Sequence, residues 1–220
     1  RIPHARTIAI ESEREFGLSV IEGLEKELLT RETLFRDKKS RALDEFNQKY
    51  PDDRMPRIIL IVDEFQEFFT EEDAIKSKAE KIFDRIVRKG RAFGINVLLS
   101  TQSLAGISLP RSTKDLIAIR IALMCSDNDS RLILADDNSA AKYLARPGEG
   151  IYNSASGLVE GNNRFQTFFI EKKDFEFVSQ RLDDLTKTNN WQRKQKLIIF
   201  KGSDPSYLEA NESITQTIPE

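Results

Sequence analysis

Hydrophobic residues along this chain of 220 residues alternate between short strand-like runs and longer helix-like stripes. Ile58–Val62 consists of five consecutive β-favouring apolar residues, and Ile95–Leu99 repeats the pattern with a single polar residue. Runs without regular polar alternation are typical of strands buried on both faces of a parallel sheet. A shorter run, Thr7–Ile10, predicts a strand or an extended entry segment.

Between these runs, apolar residues recur every three, four or seven positions, which is the spacing of one face of an α-helix. The pattern holds from Leu18 to Tyr50, where Pro51 ends it, and predicts one or two amphipathic helices with a solvated, charged outer face. It holds again from about Glu71 to Lys89, and Gly90 provides the stop.

Further segments continue the alternation toward the C-terminus. Strands that alternate with helices predict an α/β fold with a mostly parallel sheet flanked by helices. We expect a strand and a long amphipathic helical segment over residues 1–55, a core over 56–185, and a polar tail with one strand over 186–220. The remaining predicted elements are strands at Leu116–Cys125, Gly150–Tyr152, Phe165–Ile170 and Leu197–Phe200 and helical turns around Ser130–Ala135 and Ala140–Ala145.

The composition is that of a soluble domain without a membrane segment. Lys and Arg total 34, Asp and Glu total 36, the formal net charge is -2, and hydrophobic residues make up 39%. This hydrophobic share argues against disorder along the whole chain, and no apolar run approaches the roughly 18 residues that a spanning helix needs. Because the charges balance, any contact with nucleic acid must come from a local patch.

Cys125 and His4 are the single cysteine and the single histidine. One cysteine cannot form an internal disulfide, and the two residues together fall short of the about four ligands of a structural zinc site. We therefore expect a reducing, cytoplasmic setting, with any membrane tether outside these residues. The chain opens without a secretory leader at Arg1 and has only Met55 and Met124, so we expect a piece of a longer gene product.

Polar residues follow both long apolar runs at the point where each strand would end. Asp63 and Glu64 follow the first run, and Ser100, Thr101 and Gln102 follow the second. In open parallel sheets, ligands collect at the carboxyl ends of the strands. An acidic residue there can hold Mg²⁺ through water, and a following Glu can orient the water that attacks a γ-phosphate. Gln102 could bridge that phosphate, the water and the acidic pair, because its amide both donates and accepts.

Each of these segments also has an explanation without chemistry. An acidic pair or a Gln can simply mark the exit of a strand into solvent. In the basic segment Arg85–Arg91, Arg88 and Lys89 complement the dipole of the preceding helix. Arg91 lies beyond the Gly90 stop, where the dipole explains it less well, and its functional interpretation is a contact with phosphate in its own or a neighbouring subunit.

The ordered set of segments resembles the motor domain of the FtsK/SpoIIIE DNA translocases, within the HerA–FtsK group of RecA-like P-loop ATPases. The segments that carry the resemblance are PRIILIVDEFQEFF, RKGRAFGINVLLSTQS and IRIALMCSDNDSRLIL, followed by DNSAAKYLARPGEGIYN and GLVEGNNRFQTFFI. They cover about residues 56–171. The resemblance implies a RecA-like P-loop NTPase core and a ring, typically a hexamer, that uses ATP and Mg²⁺ to pump double-stranded DNA through its centre.

The resemblance also implies roles for single residues. Asp63 would be the Walker B acidic residue that binds Mg²⁺ through water, and Glu64 the catalytic carboxylate. Gln102 would be the sensor at the end of the next strand, with Thr101 beside it as a nucleotide contact. Arg91 is the candidate for an arginine that acts across a subunit boundary.

Two further sets of residues stay open at this point. Arg111 and Arg120 are alternatives to Arg91. Contacts with double-stranded DNA are expected from loops that face a central pore. The candidates in these loops are Ser103, Arg111, Lys114 and Asn128.

The phosphate-binding loop of that family, Gly-x-x-x-x-Gly-Lys-Ser/Thr, does not occur in the chain, because none of its 10 glycines is followed by Lys and then Ser or Thr. We therefore expect the C-terminal, Walker B half of the domain, starting after the loop and inactive as an ATPase alone. A strand missing from the sheet would leave an exposed position that favours association.

Other functions stay open. A degenerate RecA-like domain could serve as a non-catalytic assembly or docking module, and related conjugation and secretion motors move single-stranded DNA or protein. A hydrolase that uses Asp63 and Glu64 as a pair of carboxylates is disfavoured, because adjacent strand residues point to opposite faces.

Overall fold

The chain folds into two units in the computed structural model, which describes residues 4–10, 13–104, 111–190 and 197–201. One unit combines the N-terminal residues through Val20 with those from Phe168 onward, and the other runs from Ile21 to Thr167. This division differs from the three regions predicted from the sequence, because the last strand pairs with the first.

The smaller unit contains a pair of parallel strands, β1 (Thr7–Ile10) and β7 (Ile198–Lys201). Phe16 stacks on Phe200, with the ring centroids 4.2 Å apart. Both strand predictions are confirmed. Their pairing was not predicted, because nothing in either short run identifies a partner about 190 residues away.

Helix α6 (Lys172–Thr188) also belongs to the smaller unit. Its first turn carries a reciprocal cap, in which the Glu171 backbone N donates to Asp174 Oδ2 at 2.9 Å and the Glu171 side chain accepts in return. This helix was not predicted from the sequence, although Phe175, Val178 and Leu185 have helical spacing.

The larger unit is organised around the parallel pair β2 (Ile58–Val62) and β3 (Ile95–Leu99), which are in register from Ile58 opposite Ile95 to Val62 opposite Leu99. Helix α3 (Ala74–Lys89) forms the crossover between them, capped by Asp73, whose side chain accepts from the Lys76 backbone N at 2.8 Å. These two strands and the helix confirm the prediction. Helices α1 (Arg14–Asp37) and α2 (Leu43–Lys49) confirm the prediction of one or two amphipathic helices before Pro51.

Strand β2 is buried on one face only. Ile59 and Ile61 are each 66% exposed, while Ile58, Leu60 and Val62 alternate with them on the more covered side. The prediction of burial on both faces is therefore wrong for the described residues, since no segment among them covers the second face of this strand.

The remaining strands form a separate antiparallel sheet of β4 (Arg120–Leu123), β5 (Glu149–Asn153) and β6 (Asn162–Gln166). The expected mostly parallel sheet is thus observed as two separate parallel pairs and one sheet of three antiparallel strands. The connection between β5 and β6 explains part of this difference, because it is shorter than the dozen or more residues that a parallel crossover needs.

Two strand boundaries in this sheet differ from the prediction. Leu116 ends helix α4 (Arg111–Leu116), so the expected strand starts only at Arg120. Strand β6 ends at Gln166, and Phe168 beyond it is 93% exposed. Helix α5 (Asp127–Ile133) and a 3-10 turn (Ala140–Tyr143) match the predicted helical turns. No helix among the described residues is long and apolar enough to cross a bilayer.

Gly94, in the turn before β3, provides a test of the packing between this turn and α2. Its φ is +74°, and a Cβ there would overlap Leu43 Cδ2. We expect Gly94→Ala to lower the free energy of unfolding by about 1–3 kcal/mol, because the backbone is strained for alanine and Leu43 must move.

Gly23 offers the matched control, since it lies within α1 and a Cβ there would meet nothing within 4 Å. Gly23→Ala is expected to raise the free energy of unfolding by about 0.5–1 kcal/mol. Urea unfolding followed by circular dichroism measures both variants, and a Gly94→Ala midpoint equal to that of the wild type would contradict the packing described here.

Candidate functional site

The exits of β2 and β3 lie side by side. The Ser100 backbone N donates to Val62 O at 2.9 Å, and the Phe65 backbone N donates to Ser100 O at 3.1 Å, so the parallel pairing continues beyond both strands. Because parallel strands in register end at the same edge of the sheet, residues 63–65 and 100–102 face one another. The predicted meeting of the two polar strand ends is confirmed.

Both acidic side chains at this edge are held by the neighbouring exit. The Ser100 hydroxyl donates to Asp63 Oδ1, which also accepts from the Glu64 backbone N at 3.2 Å. The Gln102 backbone N donates to Glu64 Oε2 at 3.2 Å, and the Gln66 side-chain amide donates to the same oxygen. Each carboxylate is thus fixed through one oxygen, while the other oxygen has no hydrogen-bond partner among the described residues.

Glu64 occupies a left-handed backbone conformation, with φ 49° and ψ 47°. For a residue other than glycine this conformation costs about 1–2 kcal/mol. It turns the chain from β2 into a 3-10 helix (Phe65–Phe69) that buries Phe65, Phe68 and Phe69, of which the last two pack on Phe83 of α3. Burial of these rings offsets the strain and fixes the direction of the Glu64 side chain.

The oxygen atoms at this edge fit a hydrated Mg²⁺ beside a phosphate. Mg²⁺ is usually bound by one or two carboxylates together with waters and phosphate oxygens. No three metal-ligating side chains come together in the part of the chain that the structure describes. Gln66 Oε1 is buried without a hydrogen-bond partner there, an acceptor suited to a water molecule beside Glu64.

The Gln102 side chain is exposed at this edge. Its two neighbours, Thr101 and Ser103, form a local turn. The Thr101 hydroxyl donates to Ser103 O at 2.7 Å and accepts from the Ser103 backbone N at 3.2 Å. This local turn occupies the Thr101 hydroxyl in the structure, so its predicted contact with nucleotide stays a prediction.

Arg91 lies in the turn between α3 and β3, at the opposite end of β3 from Gln102. The five residues of β3 separate the two positions by about 16 Å. The structure therefore does not bring Arg91 to the carboxylates of its own chain. An open cavity of about 580 Å³ lies at this turn, lined by Arg91, Phe93 and Glu32 among others, and not at Asp63.

Arg91 is also the basic residue of its segment without an ion pair among the described residues. Arg85 and Lys89 pair with Glu25 and Glu32 of α1, and Arg88 pairs with Asp84. These pairs account for the neighbouring basic residues. The exposed Arg91 guanidinium is left available for a partner.

A buried arginine holds the Arg91 turn in place. Arg31 of α1 is 1% exposed, and its Nη1 donates to Phe93 O at 2.8 Å and to Pro56 O at 3.0 Å. The Phe93 ring also packs on Phe35, with centroids 5.4 Å apart. The turn is therefore a fixed platform, and no local feature of the sequence around Arg31 signals this role.

The chain is similar in sequence to several curated proteins. No protein-family model matches the chain. It is 28% identical over 180 residues to the DNA translocase FtsK of Caldanaerobacter subterraneus subsp. tengcongensis, covering 80% of this chain and 24% of that protein. It is 32% identical over 168 residues to the DNA translocase FtsK of Haemophilus ducreyi, covering 76% of this chain and 16% of that protein. The chain is a homologue of the FtsK DNA translocases.

Solved structures show the fold of this FtsK homologue. The monomer of the pCW3 conjugation coupling protein TcpA with ATPγS aligns with a TM-score of 0.68 at 21% identity, covering 83% of this chain and 57% of that one. The cytoplasmic domain of the Thermomonospora curvata type VII secretion ATPase EccC aligns with a TM-score of 0.62 at 21% identity, covering 83% and 24%. The fold is that of RecA-like P-loop ATPase domains. The chain spans about a quarter or less of the FtsK relatives.

Of the two alternatives to Arg91, Arg120 is excluded by burial. It is 7% exposed, and its guanidinium donates to the carbonyl oxygens of Ile117 at 3.0 Å, Lys114 at 2.9 Å and Leu134. Desolvation lowers the pKa of Arg120 from its usual value. The interpretation of Arg120 as an arginine acting across a subunit boundary is therefore wrong, and the side chain of Arg111 lies outside the described residues.

The candidate DNA contacts differ in accessibility. Asn128 is exposed in the first turn of α5, whereas Lys114 is half-buried. Ser103 is half-buried as well, and its hydroxyl donates to Asp129 Oδ1 at 2.7 Å. Residues 105–110 and the Arg111 side chain lie outside the described residues.

Proposed function

We propose that this FtsK homologue is the catalytic-carboxylate part of an ATP-driven motor that moves double-stranded DNA through an oligomeric ring. The observation that carries the proposal is the pair of hydrogen bonds between the two strand exits, from the Ser100 hydroxyl to Asp63 and from the Gln102 backbone N to Glu64. These bonds hold Asp63, Glu64 and Gln102 around one point. Homology to DNA translocases supports DNA as the polymer. In this proposal the full-length protein supplies the phosphate-binding loop.

Each residue at the strand exits has one task in this motor. Asp63 holds hydrated Mg²⁺ through the oxygen that Ser100 leaves free, and the ion neutralises charge on the phosphates when bound. Glu64 accepts a hydrogen bond from the attacking water through its own free oxygen and takes up the proton. The Gln102 side chain contacts the γ-phosphate, while its backbone N donates to Glu64 and so keeps the two residues together.

Arg91 completes the site of a neighbouring subunit. Its exposure, its distance from the carboxylates of its own chain and its lack of an ion pair among the described residues all favour a contact across a boundary. A ring provides such a boundary at every subunit, because a head-to-tail interface repeats until it closes. The resemblance to hexameric motors makes six subunits the expected number.

Stimulation of ATP hydrolysis by polymers tests the proposed function in the full-length protein. We expect double-stranded DNA to raise the turnover independently of sequence. The apparent affinity for DNA should fall at least about 10-fold between about 50 and 200 mM salt, because binding to backbone phosphates releases counterions. Steady-state ATPase titrations at several salt concentrations measure both effects.

Single-stranded DNA and an unfolded polypeptide form the comparison arms. Stimulation by polypeptide alone would make the protein a secretion-type motor, a possibility that the likeness to EccC raises through its fold alone. A full-length protein without any ATP hydrolysis would contradict the motor and favour a non-catalytic assembly module.

A further inference from the structure

Asp129, in the first turn of α5, contacts the loop that follows Gln102. Its Oδ1 accepts from the Ser103 hydroxyl at 2.7 Å and from the Leu104 backbone N at 3.3 Å. Its Oδ2 accepts from the Ser126 hydroxyl at 2.7 Å, and Ser126 Oγ accepts in return from the Asp129 backbone N at 3.0 Å. Both carboxylate oxygens are thus used, one toward each segment.

These contacts continue to the catalytic edge. Ser103 exchanges two hydrogen bonds with the Thr101 hydroxyl, and between them the Gln102 backbone N donates to Glu64 Oε2. An unbroken series of polar contacts therefore runs from Glu64 through residues 101–104, named here the sensor loop, to Asp129 and the turn that precedes Ser130.

The charge state of Asp129 suits this position. Hydrogen bonds from the Ser103 and Ser126 hydroxyls lower the pKa of Asp129, so it stays ionised and acts only as an acceptor at neutral pH. Asp127, two residues earlier, uses its carboxylate differently, in ion pairs with Arg131 and Lys142. Asp129 is thus the carboxylate of this turn that contacts the sensor loop.

We propose that Asp129 is a positioning residue that couples the sensor loop to the turn 126–129, which carries the exposed Asn128. A shift of Gln102 during hydrolysis is transmitted through Ser103 and Asp129 to that turn. The inference rests on the proposed function, because it assigns the turn to the DNA-facing side of the motor. Coupling of this kind requires a physical link whose removal changes one site's response to the other.

The test uses the full-length protein with Asp129→Ala, Ser103→Ala and the double variant, measured as ATP turnover with and without double-stranded DNA. We expect Asp129→Ala to lower the stimulation by DNA about five-fold while the KM for ATP changes less than about two-fold. Ser103→Ala should act in the same direction. The double variant should be no worse than Asp129→Ala, because both changes remove the same link.

Asp127→Ala is the matched control, since it removes a carboxylate from the same helical turn but leaves the sensor loop untouched. It should keep the stimulation within about two-fold of the wild type. An equal loss in Asp127→Ala, or an unchanged stimulation in both Asp129→Ala and Ser103→Ala, would overturn the inference. If Asp129→Ala fails to fold, Ser103→Ala decides alone, because it leaves the α5 cap intact.

The wild type separates this inference from the proposed function. A wild-type protein that DNA does not stimulate would overturn the proposed function and the coupling with it. A stimulated wild type with equally stimulated variants would overturn the coupling alone.

Discussion

Replacing Glu64 with Gln in the full-length protein is expected to lower ATP turnover by about 100- to 10,000-fold, the usual contribution of a positioned general base. Gln keeps the size of the side chain, and its carbonyl oxygen can still accept from the Gln102 backbone N. The change is confined to the outer oxygen, which is replaced by an amide nitrogen that cannot accept a proton. Binding of ATP should therefore persist while the chemical step is lost.

Glu67→Gln provides the control for this experiment. Glu67 is exposed in the same 3-10 helix and makes the same change of charge three residues away. Its variant should keep turnover within about two-fold. Single-turnover hydrolysis together with equilibrium binding of a fluorescent ATP analogue separates the two steps. Full turnover in Glu64→Gln would remove Glu64 from the chemistry, and equal losses in both variants would point to a general effect of charge.

The sequence predicts those parts of this site that depend on neighbouring residues, and it does not predict those that depend on residues far apart in the chain. Ile58–Val62 and Ile95–Leu99 match the observed strands because five-residue apolar runs are local signals. The meeting of Asp63 with residues 100–102 then follows from topology, since two parallel neighbours must end at one edge. The direction of the Glu64 side chain did not follow, because its left-handed backbone depends on how the next turn buries its rings.

Residues that act through distant contacts could not be found in this way. Arg31 reaches Phe93, 62 positions along the chain, and Asp129 reaches Ser103 over 26 positions. Neither position stands out among the charged residues around it. The burial of Arg120 was not predicted for a different reason: the three carbonyls that accept from it lie within 14 positions, but they are brought together by the turns on either side of the strand, which an apolar run does not reveal.

On the exposed face of β2, burial was predicted from the sequence but is not observed. Its residues were predicted to be buried on both sides, and their apolar character is genuine, yet Ile59 and Ile61 are 66% exposed. A pattern of hydrophobicity reports what a strand is suited to contact. It does not report whether another of the described segments covers that face of the strand.

Arg91→Ala in the full-length protein is expected to lower ATP turnover by about 1,000-fold, as removal of an arginine supplied in trans to a phosphoryl transfer does. The thermal midpoint should not change, because the side chain is exposed and carries no ion pair among the described residues. Arg88→Ala is the control. It removes an arginine at the end of α3 whose partner is Asp84, a surface pair worth at most about 1 kcal/mol, and it should leave turnover within about two-fold.

Mixing subunits decides whether Arg91 acts across the boundary. A ring built only from Arg91→Ala subunits and a ring built only from Glu64→Gln subunits should both be inactive. When the two proteins are mixed before assembly, some interfaces combine the intact Glu64 of one variant with the intact Arg91 of the other, so turnover should return. An arginine that acted within its own chain would leave the mixture as inactive as its components, because no subunit would carry both residues. The separation of Arg91 from Gln102 by the length of β3 predicts recovery.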